Sequence, residues 1–145
     1  MTARSRYIAE EDAFARTLGT RLVEVTEDRV VVTMPYRQGL GVGRVHGGAI
    51  SGLVDIAATA VFWSLPTLGE AARGATVGFD IHFLNLAVAV DLTATATVRR
   101  RGGSLCTGEV VVADPDGREI AVATVTYKLN PGRGRPPANE VRPGG

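Results

Sequence analysis

The apolar residues of this chain follow two different periods, and the changes of period mark the predicted elements. Apolar side chains recur at helical spacing through residues 8–18, which Gly19 ends, so we predict a short amphipathic helix there. Runs rich in β-branched residues predict six strands, which span residues 21–25, 30–34, 75–84, 92–100, 105–113 and 119–129. Residues 26–29 and 114–117 are predicted turns between strands.

One long apolar stretch, residues 49–65, lacks the strand period. Its only polar residues are Ser51, Asp55, Thr59 and Ser64. The stretch is longer than a typical buried strand, which favours a helix buried all round. The glycine-punctuated residues 36–44 precede it and are predicted to form a loop.

The predicted order of elements is a helix, two strands, the long buried helix and four further strands. This order is typical of an α+β domain in which one antiparallel sheet wraps around a central helix. An open sheet has edge strands with unpaired backbone groups, so we expect a second copy of the chain to pair with an edge. We assign residues 1–129 to this single domain and residues 130–145, rich in proline and glycine, to a flexible tail.

Composition and charge narrow the possible functions. The 145 residues are 45% hydrophobic and 21% charged, as in an ordinary globular domain. A net charge of +1 gives no reason to expect nucleic acid or a membrane as a partner, because such binding needs clustered basic residues. Cys106 is the only cysteine and the first residues lack a signal-peptide pattern, so we expect a cytoplasmic protein. No residues have the spacing of a metal site.

Asp55 is a carboxylate within an otherwise apolar helix, where an unpaired charge costs several kcal/mol. Either the helix turns Asp55 toward the surface or toward an arginine, or the carboxylate is a general base or nucleophile whose reactivity is raised by partial desolvation. Ser51 and Thr59 lie one turn before and one turn after it on the same helix face, and both are candidate substrate-binding residues.

His46, Gly47 and Gly48 stand at the predicted start of this helix. Glycines let another molecule approach the backbone, and the first N–H groups of a helix face outward, where the helix dipole favours negative charge. The segment therefore predicts a site for a carbonyl oxygen that becomes an oxyanion. A glycine-rich loop with a structural histidine would also explain these residues.

Gly47 and Asp55 are eight residues apart, which is about 12 Å along a helix. A carboxylate two turns down a helix cannot attack a carbonyl held at the N-terminus of the same helix. The spacing therefore predicts that two subunits share each site, which again indicates a dimer.

Residues 44–59, RVHGGAISGLVDIAAT, resemble the active-site segment of PaaI-type hotdog thioesterases. Residues 75–87, ATVGFDIHFLNLA, and the order of elements are similar to that family too, so the resemblance covers residues 14–129. It implies a hotdog fold, dimers often paired into tetramers, and hydrolysis of an acyl-CoA thioester without metal or bound cofactor. Coenzyme A is then part of the substrate, and the family suggests an aromatic or medium-chain acyl group.

The resemblance also implies roles by position. His46 and Gly47 fall on the family's histidine and oxyanion glycine, and Gly48 is expected to bind substrate beside them. Asp55 falls on the carboxylate that acts from the partner subunit, and Thr76 on a hydroxyl residue that orients the attacking water. Coenzyme A is expected along the dimer surface, where the candidate phosphate ligands are Arg99, Arg100 and Arg101.

The sequence departs from the family at Leu40, where an asparagine commonly contacts the thioester or the water. Gln38 replaces that contact if the loop is shifted, and otherwise one polar contact is missing. Leu86 likewise stands where the family has a proline.

Two alternatives remain open in the sequence. A hotdog dehydratase of hydroxyacyl thioesters uses a histidine paired with an acid, but His82 lies in a predicted strand and is more typical of a structural or pocket-lining group. A non-catalytic acyl-CoA binding or sensing domain has the same fold but no use for Asp55. Phe62, Trp63 and Phe83 are candidates for an acyl pocket and equally for plain core.

Overall fold

The computed structural model of the chain describes residues 3–132. The elements are α1 (Ala3–Arg6), a π-helical turn (Tyr7–Glu11), α2 (Ala13–Leu18), β1 (Arg21–Thr26), β2 (Arg29–Met34), a 3-10 turn (Gln38–Leu40), α3 (Gly47–Phe62), β3 (Arg73–Phe83), β4 (Leu92–Arg101), β5 (Leu105–Ala113) and β6 (Glu119–Asn130).

The six strands form one antiparallel sheet in the order β1-β2-β4-β5-β6-β3. Helix α3 packs along the sheet, chiefly against β2, β4 and β5. The sheet therefore wraps around a central helix, and the predicted α+β hotdog fold is confirmed. Strands β1 and β3 are the two edges of the sheet.

The alternation of residue types explains which face of the sheet contacts α3. In β4, Leu92, Ala94 and Ala96 are buried, whereas the threonines between them are partly exposed. Phe62 and Leu53 of α3 are fully buried in the same core. Burying a side chain of this size stabilises the fold by about 1.5–3 kcal/mol.

The strands lie within two residues of their predicted bounds, but the first turn is tighter than predicted. Only Glu27 and Asp28 separate β1 from β2, and Asp28 has a positive φ of 70°. Aspartate tolerates this left-handed conformation better than most residues. The second predicted turn is confirmed, because Asp114 Oδ1 accepts from the N–H groups of Asp116 and Arg118, both at 2.9 Å.

The prediction of one helix over residues 8–18 was wrong. Helical structure begins at Ala3, widens into the π-helical turn and then restarts as α2. The break occurs at Asp12, whose side chain accepts a hydrogen bond from Phe14 N–H at 3.1 Å. Aspartate favours this capping position, so it begins a new helix instead of continuing the old one. Gly19 ends α2 with a φ of 75°, as predicted.

Helix α3 begins two residues earlier and ends three residues earlier than predicted. Arg101 accounts for the early end, since its guanidinium donates to Val61 O at 3.2 Å and to Phe62 O at 3.1 Å. Phe62 O is a carbonyl group that the last turn leaves unpaired, whereas Val61 O also accepts from the N–H and the hydroxyl of Ser64. The helix is also not buried all round, because a stripe formed by Ser51, Asp55 and Thr59 is partly exposed.

The last strand extends to Asn130, one residue past the predicted end of the domain. The predicted flexible tail falls, from residue 133 onward, outside the described residues. Within residues 3–132, no helix is long and apolar enough to cross a membrane.

Candidate active site

Backbone groups and one imidazole hold the start of α3. His46 is the N-cap residue, and its Nδ1 accepts a hydrogen bond from Gly48 N–H at 2.7 Å. The His46 N–H in turn donates to Leu40 O at 2.7 Å. Val45 N–H donates to Ala87 O at 2.8 Å, which ties this loop to the segment after β3. The loop is therefore fixed on both sides of the helix start.

The two glycines at this helix start differ in what their N–H groups can do. Gly48 N–H is occupied by the cap, and a Cβ at Gly48 would lie 2.9 Å from His46 Nδ1, so the cap requires a glycine there. Gly47 N–H has no acceptor within the described residues. It is therefore the free donor at the positive end of the helix dipole.

The cap also fixes the tautomer of the neutral imidazole. An Nδ1 that accepts a hydrogen bond carries no proton, so the neutral ring of His46 has its proton on Nε2. His46 is exposed. Its Nε2–H is thus a second donor near the free N–H of Gly47.

Two hollows meet at His46. One, of about 360 Å³, is lined by Gly47 and Phe83 among other residues. The other, also about 360 Å³, is lined by Leu40 and Gly48 among others. The donors at the start of α3 therefore border space that a ligand can occupy.

Asp55 lies two turns further along α3, about 12 Å from Gly47 along the helix axis. It is partly buried, and Thr76 Oγ1 donates to its Oδ1 at 2.7 Å. Thr76 stands next to a β-bulge, because it pairs with Tyr127 while Gly78 pairs with Thr126, which leaves Val77 as the extra residue. Bulges re-aim side chains, and this one directly follows the hydroxyl that holds the carboxylate.

Two residues, Leu40 and Gln38, were considered at the place of the family's asparagine, and the structure gives them different environments. Leu40 is buried, and only its backbone contributes, through the carbonyl that accepts from His46. Gln38 is exposed in the 3-10 turn, and its side chain makes no hydrogen bond to the described residues. The Leu40 position therefore presents no polar side chain to the site.

The three candidate phosphate ligands have different environments. Arg99 is exposed and faces Glu109 at 3.6 Å, and Arg100 is exposed. Arg101 donates to the Asp28 carboxylate at 2.9 Å as well as to the end of α3. This structural use of its guanidinium argues against Arg101 as a ligand of coenzyme A.

Sequence reasoning missed Tyr127, which accepts a hydrogen bond from Trp63 Nε1 at 2.7 Å. Burial raises the pKa of its hydroxyl, the bond from Trp63 lowers it, and the charges of Asp55 and Cys106 raise it further. A signal was available in β6, where Tyr127 is the only inward residue with a polar end. The inward residues are Ala121, Ala123, Val125, Tyr127 and Leu129.

Among residues 3–132 no group of His, Cys, Asp and Glu side chains is arranged to hold a metal ion. The chemistry available here is that of a held carboxylate and a helix N-terminus.

The family model of the thioesterase superfamily matches residues 42–121, more than half of the chain. The chain belongs to the thioesterase superfamily. The matched segment contains the start of α3, Asp55 and Thr76 together.

Relatives agree with this membership. A Deinococcus radiodurans protein, named only as a candidate esterase, is 31% identical over 115 residues, which cover 77% of this chain and 70% of that protein. A thioesterase family protein from Silicibacter pomeroyi has a TM-score of 0.79 and 30% identity and covers 87% of this chain and 95% of its own. E. coli PaaI has a TM-score of 0.72 and 26% identity, with coverage of 87% and 93%. The resemblance to PaaI-type hotdog thioesterases is confirmed, and this superfamily member is a thioester hydrolase.

Proposed function

We propose that this chain hydrolyses the thioester bond of an acyl-CoA, with Asp55 as general base or nucleophile. The observation that carries the proposal is the hydrogen bond from Thr76 Oγ1 to Asp55 Oδ1 at 2.7 Å. It holds one oxygen of the carboxylate and leaves Oδ2 without a hydrogen-bond partner in residues 3–132. A carboxylate held in this way is suited to attack a carbonyl carbon or to deprotonate water.

Thr76 has a second use in this scheme. Its single hydroxyl proton goes to Asp55, so its oxygen can still accept a hydrogen bond from a water molecule. A water that donates to both Thr76 and Asp55 is oriented and activated at once. Attack then forms a tetrahedral intermediate, whose collapse expels the thiolate of coenzyme A.

The negative oxygen of that intermediate needs donors, and the start of α3 supplies them. Gly47 N–H has no acceptor in residues 3–132 and lies at the positive end of the helix dipole. The Nε2–H of His46 is the second donor of the proposed oxyanion site. Donors of this kind stabilise a transition state because they are in place before charge develops.

We propose further that each active site combines the start of α3 from one subunit with Asp55 and Thr76 from another. The separation of about 12 Å along one helix supports this division. Strand β3 is a sheet edge, and it carries the exposed apolar side chains of Val77 and Phe79. A second copy of β3 would pair with this edge and cover them, giving a homodimer. Pairing of dimers into a homotetramer is the arrangement that the resemblance implies.

Coenzyme A carries phosphates, and the exposed Arg99 and Arg100 are its proposed ligands. Arginine suits this role because its planar fork matches phosphate oxygens. The acyl group that we propose is aromatic or medium-chain, as the family resemblance suggests.

The test is thiol release from a panel of aromatic and aliphatic acyl-CoAs, comparing the wild type with Asp55→Asn. The only cysteine, Cys106, is buried, so the folded protein gives little background with a thiol reagent. We expect Asp55→Asn to lower kcat by at least about a hundredfold, the scale of a lost general base. The control is Asp116→Asn, which neutralises an exposed turn carboxylate and should leave the rate unchanged.

Sharing of the site has its own test. A mixture of Asp55→Asn and Gly47→Pro subunits, unfolded and refolded together, forms hybrid dimers in which one of the two sites has all its wild-type groups. About a quarter of the wild-type activity should return when the subunits mix at random. Inactive hybrids would show that the two groups act within one chain or not at all.

The panel also decides between the alternatives. Acyl-CoA binding without thiol release by any variant would indicate a binding or sensing domain. Loss of water from a hydroxyacyl thioester without thiol release would indicate a dehydratase. His82, the histidine available for such a role, lines a hollow with Asp80 and Glu109 that shares no residue with the site on α3.

A further inference from the structure

The exposed edge strand β3 carries two polar side chains without a partner in the described chain. Asp80 and His82 are exposed and lie two residues apart, so both point to the face of the sheet away from α3. Neither side chain makes a hydrogen bond or an ion pair within residues 3–132. The chemistry proposed above uses neither of them.

The other sheet edge, β1, is partly closed. Glu10 reaches it from the N-terminal helical segment and accepts a hydrogen bond from Leu22 N–H at 2.8 Å. The pairing of β1 with β2 also shifts between Leu22 and Glu24, which leaves Val23 as an extra residue. Occupied donors and bulges both hinder the addition of a further strand. A second copy of the chain is therefore expected at β3.

The backbone of β3 presents a regular set of free groups at its edge. On the inner side, Leu84 N–H donates to Ile120 O at 2.8 Å. The hydrogen bonds of a strand alternate between its two sides, and β3 pairs with β6 without a register shift from Gly78 onward. The residues that direct their N–H and C=O groups to the free edge are therefore Phe79, Ile81 and Phe83.

A two-fold axis through one residue of β3 determines which side chains meet, because self-pairing of an edge is antiparallel and symmetric. With Asp80 on the axis, Asp80 meets its own copy, and like charges directly opposite each other are destabilising. With His82 on the axis, His82 meets its own copy and Asp80 faces the partner's Leu84. With Ile81 on the axis, each Asp80 faces the partner's His82, whose imidazole N–H can donate to the carboxylate.

The register with Ile81 on the axis also suits the other face of β3. Phe79, which is 38% exposed, then lies opposite the partner's Phe83, and Phe83 is 50% exposed in the single chain. Aromatic side chains directly opposite each other stabilise paired strands. Phe83 also borders the proposed oxyanion site, since a Cβ at Gly47 would lie 3.3 Å from its ring.

This register aligns the two halves of the proposed site. Thr76 precedes Phe79 on the α3 side of the strand, beyond the bulge, and would lie beside the partner's Asn85. Asn85 lines the hollow of about 360 Å³ that Gly47 and His46 also line. A register shifted by two residues moves the strands by about 7 Å relative to each other. The register therefore determines whether the carboxylate that Thr76 holds can reach the oxyanion donors.

We propose that Asp80 and His82 set the register in which two copies of this chain pair. Each Asp80 carboxylate accepts a hydrogen bond from the partner's His82, and the two symmetric contacts keep Ile81 on the two-fold axis. The inference rests on the shared site proposed above and assigns the residues that align its halves. A register shifted by two residues keeps backbone hydrogen bonds but loses both contacts.

Reversal of charge at these positions tests the register. His82→Asp places two carboxylates opposite each other at both contacts, so the dissociation constant of the dimer, measured by sedimentation equilibrium, should rise at least about tenfold. The double variant Asp80→Lys/His82→Asp places a cation opposite a carboxylate at each contact and should restore a dissociation constant near the wild-type value. The control is Glu27→Lys, which reverses an exposed charge beside the opposite sheet edge and should change nothing.

The other registers give different results in the same experiment. With Asp80 on the axis, His82 would face the partner's Gly78, so His82→Asp would not weaken the dimer. With His82 on the axis, the introduced carboxylates would meet in the double variant as well, and dimerisation would not be restored. Either result would overturn the assignment.

A cross-link that does not depend on charge is the second measurement. Ile81→Cys places two thiols at the axis, where hydrogen-bonded residues have Cα atoms about 5.5 Å apart, within the range of a disulfide. Oxidation with diamide should give covalent dimers of Ile81→Cys and none of Val77→Cys, which changes an exposed residue of the same strand. The native Cys106 is buried. Equal cross-linking of the two variants, or none in either, would overturn the assignment.

The oligomeric state separates this inference from the proposed function. We expect thiol release to fall with the dimer fraction in His82→Asp and to return in the double variant. The expected dimerisation and cross-linking without thiol release from any acyl-CoA by the wild type would refute hydrolysis and support the register. Full thiol release by His82→Asp at a concentration where it sediments as a monomer would refute the register assignment.

Discussion

The two halves of the proposed site are built in different ways. The start of α3 is made by neighbours in sequence, where the Nδ1 of His46 binds Gly48 N–H and Leu40 O closes the loop. The second half joins Asp55 to Thr76, 21 residues away, through the packing of α3 against β3. A donor in the backbone survives most side-chain changes, whereas a held carboxylate depends on one hydroxyl. Different kinds of substitution should therefore be needed to inactivate the two halves.

The largest effect in the first half should come from removing a backbone N–H. Gly47→Pro deletes the free donor at the first position of the helix, where proline is well tolerated. His46, with φ −64° and ψ 139°, already has the extended conformation that a following proline requires. We expect kcat to fall by about a hundredfold to a thousandfold, the scale of a lost oxyanion donor.

The control for this change is Gly47→Ala, which keeps the N–H. Its Cβ would lie 3.3 Å from the Phe83 ring, which is half-exposed and can shift slightly. Equal losses of thiol release in the alanine and proline variants would show that bulk matters there and the N–H does not.

In the second half, the removal of one hydroxyl should be enough to lower the rate. Thr76→Val keeps the shape of the side chain and removes the hydrogen bond to Asp55. A bond to a charged group is worth about 1.5–3 kcal/mol, so we expect roughly a tenfold to hundredfold loss of kcat. Thr76→Ser retains a hydroxyl and should keep most of the rate. Thiol release measured for the pair would contradict the role of Thr76 if both variants lost the same amount.

In the first half, two substitutions at the N-cap residue of α3 distinguish an effect on stability from an effect on activity. His46→Ala removes the acceptor of Gly48 N–H and should lower the free energy of unfolding by about 1 kcal/mol. His46→Asn supplies another good capping side chain, so stability should return while the Nε2–H donor stays absent. Urea unfolding and thiol release on the same samples test this, and an active asparagine variant would exclude the imidazole as a donor.

The smallest effect concerns Tyr127, which lies beyond both halves. Burial raises its pKa above the ordinary value of 10.0. The unfolded chain therefore ionises this phenol first, so the stabilising contribution is complete below pH 10.0 and is lost as the pH rises through the raised pKa. In that alkaline range, the free energy of unfolding of Tyr127→Phe should fall less steeply with pH than that of the wild type. Urea unfolding midpoints of the wild type and of Tyr127→Phe at about pH 9 and about pH 11 measure this. An equal decrease of the midpoint in both proteins would contradict it.

The same contrast explains how much could be predicted from the sequence. Strand bounds were predicted within two residues because the period of two in runs such as β4 reports burial directly. The bounds of the N-terminal helix were not predicted correctly, because apolar spacing does not show that Asp12 caps a new helix. The end of α3 was also missed because Arg101, which donates to its last carbonyl groups, comes from β4.

In the candidate site, groups that are close together in the sequence could be predicted, whereas contacts between residues far apart in the sequence could not. Residues 46–48 and the isolated Asp55 stand out in the sequence itself. Thr76 was assigned only through the family resemblance, because its contact with Asp55 depends on how β3 packs. The Trp63–Tyr127 pair could not be predicted from spacing, since it joins the end of α3 to β6 across 64 residues.

The anchoring of α1 has a practical consequence for anyone who purifies this protein. Arg4 and Ser5 bind the backbone at Gly69 and Ala60, and residues from Ala3 onward line a cavity of about 450 Å³ beside the end of α3. A purification tag fused at the N-terminus is therefore joined to that cavity wall within a few residues. Kinetic constants and ligand affinities should be measured on protein whose N-terminal tag has been cleaved off, or with the tag placed after β6.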